Sequence, residues 1–245
     1  MLIQSAKEVF KMAGFQMFDT IHLSWLLVIL IFILVNCYLY KTGSIGCRLR
    51  WQRSVFGALF ILEIIKQLYL AITDQYTFWS PPLHLCGFGI FIIGIHVYCA
   101  NRTTSTLLFA LTLPGAIIAL IFPGWTTDPV GGFLHVHSFI FHALLIVYVV
   151  SLLITNDLNV KINDLWRAAV FLLVTVPIIY FYNQSFNTNF MFLNQPVKGT
   201  PLQWLYDAFG AGGYIGSLIG VLSFLWIAMY SAKSVVAIVK KKMIA

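Results

Sequence analysis

Charged side chains are scarce in this sequence. Of 245 residues, 15 are Lys or Arg and 8 are Asp or Glu, so that 9% are charged, against roughly 25% in an average soluble domain. So few charges cannot cover the surface of a water-soluble globule of this length. The same shortage, together with high hydrophobicity, excludes an intrinsically disordered chain and a soluble nucleic-acid-binding protein.

Cysteines are also few. The chain has 4, and no two of them form a C-x-x-C pair. A disulfide scaffold needs many more cysteines, and a structural zinc site usually needs such pairs. Neither is therefore indicated, and the sequence predicts no metal site of this kind.

Apolar side chains are abundant instead. Hydrophobic residues make up 60% of the chain and aromatic residues 16%, and the mean hydropathy is +0.89. A helix needs about 20 mainly apolar residues to cross a hydrocarbon core roughly 30 Å thick. Seven segments meet this requirement: Phe18–Tyr40, Ser54–Thr73, Pro82–Ala100, Ser105–Phe122, Phe133–Thr155, Trp166–Tyr182 and Ala208–Ala232. The predicted fold is an all-α polytopic membrane protein with seven transmembrane helices over residues 18–232.

Two terminal segments flank this predicted membrane domain. Residues 1–17 alternate apolar and polar side chains at helical spacing and lack the features of a removable signal peptide, which predicts a short interfacial helix on the membrane surface. Residues 233–245 form a basic tail. Between the last two segments, Asn183–Asp207 is the one long loop, and we expect it to cover the bundle.

Lysine and arginine predict the orientation. If the first helix starts outside, eleven of the 15 basic residues fall on the inner side, three fall outside and Lys66 lies within a span. Because basic residues concentrate in cytoplasmic loops, the N terminus is predicted outside and the C terminus in the cytoplasm, with the plasma membrane as the location. The asymmetry also explains the net charge of +7 without an anionic partner.

Ionisable residues inside the predicted helices are the candidates for function, because each costs a few kcal/mol on insertion scales. The topology places most of them in the outer half of the membrane, and His96 is the exception. The polar set at that depth is His22, Glu63, Lys66, Gln67, His84, Cys86, His135, His137 and His142. We expect these side chains to share one pocket that opens outward.

Several of these residues also have a purely structural interpretation. Glu63 and Lys66 are three residues apart, so they can form a neutralising pair on one helix face. His84 and Cys86 are two apart, roughly 200° on an ideal helix, and can face one point only if Pro81-Pro82 make the start of the helix irregular. A buried cysteine is usually a packing residue.

Three kinds of chemistry fit this set. Acyl transfer needs a nucleophile, a base and an oxyanion donor, which His84 or Cys86, His142, and Lys66 or Gln67 could supply. Paired histidines could instead ligate a haem or a metal. A proton-coupled transporter is a third interpretation, although the sequence shows no inverted repeat.

A family resemblance favours acyl transfer. Pro82-Leu83-His84-Leu85-Cys86 resembles the "LPLHLC" signature of the YwaF family of bacterial integral membrane proteins. Further segments that resemble this family are Phe18–Leu23, Glu63 with Lys66-Gln67, Leu113–Ala116 followed by Phe122-Pro123, Phe141-His142, and Asn189–Leu193 with Pro196 and Tyr214. The similarity extends over nearly the whole chain.

That family is related to the eukaryotic transmembrane protein 164, which looks like a cofactor-independent phospholipid acyltransferase that acts through a cysteine and a histidine. The resemblance implies membrane lipids as partners, no cofactor and no nucleic acid. It implies Cys86 or His84 as acyl acceptor and His142 as general base, although the eukaryotic pattern has its cysteine where this chain has Leu83. The implied substrate-binding or orienting residues are His22, Glu63, Lys66, Gln67, His137 and Asn189. The alternative to catalysis is lipid binding without turnover.

Overall fold

The structure is a computed structural model that describes the backbone of residues 14–244 and the side chains of residues 14–235. The predicted interfacial helix over residues 1–17 therefore lies mostly outside the described residues. Within them the chain is helical and has no strand: α1 Thr20–Thr42, α2 Ile45–Ile72, α3 Leu85–Tyr98, α4 Arg102–Leu107, α5 Leu113–Ile121, α6 Phe133–Ile154, α7 Trp166–Phe186 and α8 Pro201–Ile244. These helices fall into two compact units that divide after Asn159.

Six stretches of the described chain are long and apolar enough to cross a membrane. They are α1, α2, the run Arg102–Ile121 that contains α4 and α5, α6, α7 with the turn before it, and α8. The remaining predicted segment corresponds to α3, which is apolar but only 14 residues long, or about 21 Å at 1.5 Å per residue. The prediction of an all-α, multi-pass membrane protein is confirmed, with six such stretches and one shorter helix.

Polar caps fix where the first helices begin. The Asp19 carboxylate accepts hydrogen bonds from the backbone N–H groups of His22 and Gln16, both at 2.8 Å, and these bonds lower the pKa of Asp19. The Ser44 hydroxyl accepts from the Cys47 N–H at the start of α2. This cap explains why α2 begins nine residues before the predicted Ser54, since its first turns are polar and lie outside the apolar run that the prediction used.

The fourth span changes its helical type near a proline. Residues Leu108–Thr112 form a short π-helix between α4 and α5, and Pro114 follows in the first turn of α5. Proline has no N–H to donate to the preceding turn, and its ring crowds that turn, so the turn widens. The irregularity in this span is thus a π-helix that precedes the proline.

Helix α6 forms the centre of the first unit. In its most apolar window 61% of the residues are buried, against 17% in α1 and 22% in α2. Trp25 of α1 contacts His135 near the start of α6, and Cys37 contacts Ser151 near its end, so the two helices run parallel. Most side chains of α6 are therefore enclosed by protein, although Ile140 and Ile154 are exposed.

The second unit contains α7, α8 and their connection. Gly210 has φ +65° and ψ 177°, which breaks the helical backbone of α8 close to the predicted start at Ala208. Helix α8 continues to Ile244, so the predicted basic tail is helical. The connection between the helices runs from residue 187 to residue 200 and is shorter than the predicted loop, because α7 extends to Phe186 and α8 begins at Pro201.

Candidate functional site

The polar centre of the first unit is an ion pair on α2. The Lys66 ammonium lies 2.8 Å from Glu63 Oε1. Gln67 Nε2 donates to the same carboxylate oxygen at 2.5 Å and to the backbone carbonyl of Ser80 at 2.8 Å. The three residues share one helix face, as their spacing predicts, and Gln67 ties that face to the segment before α3.

Three histidines from two other parts of the unit interact electrostatically with this ion pair. The Lys66 ammonium is close enough to His84, His137 and His142 to interact electrostatically with each ring. His142 interacts in the same way with the other two rings, and Glu63 with His137. We call the six residues Glu63, Lys66, Gln67, His84, His137 and His142 the Lys66 cluster.

His142 is held in one orientation by its own helix and by a tryptophan. Its Nδ1 lies 2.7 Å from the backbone carbonyl oxygen of Ser138, one turn earlier in α6. Since a carbonyl can only accept, Nδ1 carries the proton and Nε2 keeps its lone pair. The Trp125 ring stacks on the imidazole, with centroids 5.0 Å apart and an interplanar angle of 10°. A half-buried imidazole with one free, fixed nitrogen is suited to general-base chemistry.

His84 owes its position to the irregular start of α3. It is the N-cap residue, with φ −70° and ψ 156°, so it lies outside the helix. The Leu83 N–H donates to the Pro81 carbonyl at 2.9 Å, which closes the turn before it. This turn approaches α3 so closely that a Cβ on Gly87 would lie 2.2 Å from the Pro82 carbonyl oxygen. Glycine is needed at that position for the turn to pack there.

The irregular turn separates His84 from Cys86. The Cys86 sulfur points toward α5, where it would lie 3.6 Å from a Cβ placed on Gly115. The arrangement places His84, and not Cys86, beside Lys66 and His142. The assignment of Cys86 as acyl acceptor stays a prediction.

His135 occupies a different environment, two turns before His142 on the same face of α6. Its Nε2 accepts a hydrogen bond from the Trp25 indole N–H at 2.9 Å. The rings of Phe15, Trp25 and Phe139 surround it with centroids 5.0 to 5.8 Å away. We call these four residues the aromatic box. His135 is fully buried within it.

His22 lies next to the aromatic box and joins α1 to the end of α5. Its Nε2 donates to the Leu120 carbonyl at 2.7 Å, and its Nδ1 accepts from the Phe18 N–H at 2.9 Å. Both ring nitrogens are therefore occupied by the backbone. His22 contacts Phe15 and Phe139 of the box, so the structure associates it with this box and does not place it in the Lys66 cluster.

His96 and Asn189 lie apart from both the Lys66 cluster and the aromatic box. His96 is at the other end of the first unit, where its Nδ1 is 2.8 Å from the Thr104 hydroxyl. Asn189 belongs to the second unit and organises the turn before α8, because its Oδ1 accepts from the backbone N–H groups of Asn194 and Gln195. That this connection covers the Lys66 cluster stays a prediction.

Buried polar atoms without a partner occur in several parts of the described chain, and three of them belong to the Lys66 cluster or to Trp125 beside it. Buried atoms without a hydrogen-bond partner include Gln67 Oε1, His137 Nε2 and Trp125 Nε1. A buried polar group without a partner costs about 1–3 kcal/mol, so such atoms at one place indicate a site that a polar ligand or water completes. Shallow surface grooves of about 350 Å³ on α1 and about 510 Å³ on α8 are lined by other residues.

Sequence reasoning missed two contributors to this site. Trp125 lies in a connection, and no spacing rule relates it to His142. The other contributor is the backbone carbonyl of Ser138. A backbone group carries no residue-type signal in the sequence, so only the interval of four residues to His142 could have indicated it. Among the residues that the structure describes, no group of three His, Cys, Asp or Glu side chains is arranged to hold a metal ion.

Comparison with known proteins gives one match. The model of the TMEM164 family matches residues 17–230 of the chain. No curated protein sequence matches, and no solved structure matches. The matched region contains Trp125 and all residues of the Lys66 cluster.

Proposed function

The chain belongs to the TMEM164 family, and on this premise we propose that it moves a fatty acyl chain from a phospholipid to a lysophospholipid at the Lys66 cluster. The observation that carries the proposal is the electrostatic interaction of His84, His137 and His142 with one ammonium group inside a membrane protein. This is the set of groups that acyl transfer requires: a nucleophile, a base and a positive charge for the oxyanion. The lipids that surround the helices supply the substrates.

In the first half of the reaction, His84 accepts the acyl group. A ring nitrogen of His84 attacks the ester carbonyl carbon of the donor lipid, a C–N bond forms, and the C–O bond to the donor glycerol breaks. The other ring nitrogen of His84 gives up its proton, and the departing alkoxide takes one. The products are an acyl-imidazole and a lysophospholipid. His84 is supported over Cys86 by its place beside Lys66 and by the direction of the Cys86 sulfur toward Gly115.

In the second half, His142 acts as general base. Its free Nε2 takes the proton of the acceptor hydroxyl while the hydroxyl oxygen attacks the acyl-imidazole. The C–N bond breaks, and His84 regains a proton from His142. In both halves the Lys66 ammonium stabilises the oxyanion, since its pairing with Glu63 uses one of its three N–H donors. The amino end of α3, next to His84, adds partial positive charge.

The test is lipid mass spectrometry on purified protein given a donor phospholipid with an isotope-labelled acyl chain and an unlabelled lysophospholipid. We expect labelled acyl chains on the acceptor, and about a 1,000-fold lower rate for His142→Ala, the upper range for loss of an acid–base group. His96→Ala, at the other end of the unit, is the matched control and should keep the rate. Full activity in His142→Ala, or no transfer by wild-type protein, would contradict the proposal.

The same assay identifies the acyl acceptor. His84→Ala should abolish transfer, whereas Cys86→Ser should keep it, because Ser fits the space beside Gly115 that the thiol occupies. The reverse result would assign the acyl group to Cys86. Loss of transfer in both variants with intact folding would make Cys86 the acceptor and His84 its partner. The site is proposed to face the outer leaflet, and lysophospholipid restricted to one side of proteoliposomes tests that orientation.

A further inference from the structure

We propose that the indole N–H of Trp125 donates a hydrogen bond to the carbonyl oxygen of the acyl group and so forms part of the oxyanion site. The inference rests on the proposed acyl transfer. It concerns a residue in the connection between α5 and α6 that neither the spacing of the motifs nor the helical phase singles out. Three observations on Trp125 carry it.

The first observation is the position of the ring. The indole stacks on the imidazole of His142 with centroids 5.0 Å apart, so any substrate whose hydroxyl meets His142 Nε2 lies within reach of the indole edge. The indole also packs against Phe139, with centroids 5.3 Å apart and an interplanar angle of 83°. Trp125 is thus held between the base and the core of the unit, and its ring has one defined orientation.

The second observation is the unpartnered donor. Trp125 Nε1 is buried and has no hydrogen-bond partner among the described residues. Indole nitrogen can only donate, so neither rotation nor tautomerism can relieve this deficit. A buried donor without an acceptor costs about 1–3 kcal/mol. A negative oxygen that develops during a reaction satisfies such a donor at the moment when its charge is largest, which is how a preorganised donor lowers a barrier.

The third observation is a contrast with Trp25 in the same unit. Trp25 also stacks on Phe139, with centroids 4.8 Å apart and an angle of 2°, but its N–H donates to His135 at 2.9 Å. Both tryptophans pack against Phe139, and both contact a histidine of α6. The N–H of Trp25 has an acceptor within the protein, whereas the N–H of Trp125 has none among the described residues. Trp25 is therefore a matched control for Trp125.

The connection that carries Trp125 is fixed to its surroundings. The Phe15 N–H donates to the Thr126 carbonyl at 2.9 Å, and the Asp128 N–H donates to the Trp125 carbonyl at 3.1 Å. A Cβ on Gly14 would lie 2.1 Å from that Thr126 oxygen, so the chain packs tightly at this point. The backbone thus positions the indole before any substrate binds.

The experiment compares Trp125→Phe with Trp25→Phe in the transfer assay and in thermal unfolding. Phenylalanine keeps an aromatic ring and removes the N–H in both. We expect Trp125→Phe to lower kcat about 100-fold, as loss of an oxyanion donor does, with KM for lysophospholipid and the Tm little changed. Trp25→Phe should keep kcat and lower the Tm, because it removes a hydrogen bond that exists in the resting protein.

The outcomes separate this inference from the proposed function. If Trp125→Phe keeps kcat within about twofold while His142→Ala is inactive, the Trp125 assignment is overturned and acyl transfer stands. If Trp125→Phe lowers the Tm as much as Trp25→Phe does and lowers kcat as well, the role of Trp125 is structural, and the inference also fails. If His142→Ala keeps full activity, the proposed function fails, whatever Trp125 does.

Discussion

The Lys66 cluster and the aromatic box both take histidines from α6, and His135 and His142 even share a helix face, yet these histidines differ in what their nitrogens contact. In the box, Trp25 occupies Nε2 of His135, and three aromatic rings exclude other partners. In the cluster, His142 keeps a free Nε2 beside a lysine and two other histidines. The same residue type at neighbouring positions of α6 thus serves packing in one case and is available for chemistry in the other.

The comparison teaches that depth in the membrane does not select a catalytic histidine. His22, His135, His137 and His142 all lie toward the end of the unit at which α1 and α6 begin. What separates them is the α2 face that carries Glu63 and Lys66, because His137 and His142 interact with Lys66, whereas backbone groups occupy both ring nitrogens of His22 and Trp25 occupies Nε2 of His135. Removing either the charge or the geometry of the cluster should therefore affect turnover without affecting the box.

The largest expected effect comes from the charge of Lys66. Lys66→Met alone leaves the Glu63 carboxylate buried without its partner, which is strongly destabilising. The double variant Glu63→Gln/Lys66→Met removes both charges and should recover the Tm. If Lys66 stabilises an oxyanion, kcat in the double variant stays about 1,000-fold below wild type.

The measurement is the pair of Tm and kcat for the single and double variants. Recovery of kcat together with the Tm in the double variant would show that Glu63 and Lys66 only neutralise each other. That outcome corresponds to the structural interpretation of the pair that their spacing alone leaves open.

The second effect comes from geometry. Gly87→Ala should displace the turn Pro81–His84, because the new Cβ would lie 2.2 Å from the Pro82 carbonyl. A shift of about 1 Å in a reacting group can lower the rate about 100-fold, and we expect a loss of this size in acyl transfer. Gly57→Ala on α2 is the control, since a Cβ there meets nothing within 4 Å.

Gly57→Ala should be neutral or stabilise the helix by up to about 1 kcal/mol. If Gly87→Ala transfers acyl chains at the wild-type rate in a folded protein, then the position of His84 does not matter for turnover, and its role as acyl acceptor is wrong.

The smallest effect on turnover is expected in the aromatic box. His135→Leu removes the acceptor of the Trp25 N–H and leaves that donor buried and unpartnered. The free energy of unfolding should fall by about 1–3 kcal/mol, measured by thermal or denaturant unfolding in detergent, while kcat stays within about twofold of wild type. A large fall in kcat with an unchanged Tm would remove the distinction between the two histidine groups.

Much of the fold could be predicted from the sequence, because hydrophobic length is a local property. Apolar runs predicted most long helices to within a few residues. The exceptions are α2, which the Ser44 cap extends, and α8, which begins at Pro201 and continues to Ile244, well beyond both ends of its predicted segment. Helix α3 is instead shorter than its predicted segment. Pro81 and Pro82 hold the chain before it in a turn, so a segment that is long enough by composition is only 14 residues long as a helix.

The site could be predicted less completely. The interval between Glu63 and Lys66 fixes their pairing, because residues three apart on a helix are neighbours. The partners of His142, in contrast, are not set by helical spacing between side chains. Trp125 reaches it from a connection, and the fixed proton on Nδ1 depends on a backbone carbonyl. Neither contact follows from any periodicity in the sequence.

The sequence by itself determined that this chain lies in a membrane as helices and that Glu63 and Lys66 share one helix face, because the length of apolar runs and the spacing along a helix are local properties. Only the tertiary structure decided which histidines meet Lys66, which are enclosed by aromatic rings, and that His84 and Cys86 point to different neighbours. Those outcomes depend on how helices rotate against one another and on the turn before α3, and such contacts arise between residues that are far apart in the chain.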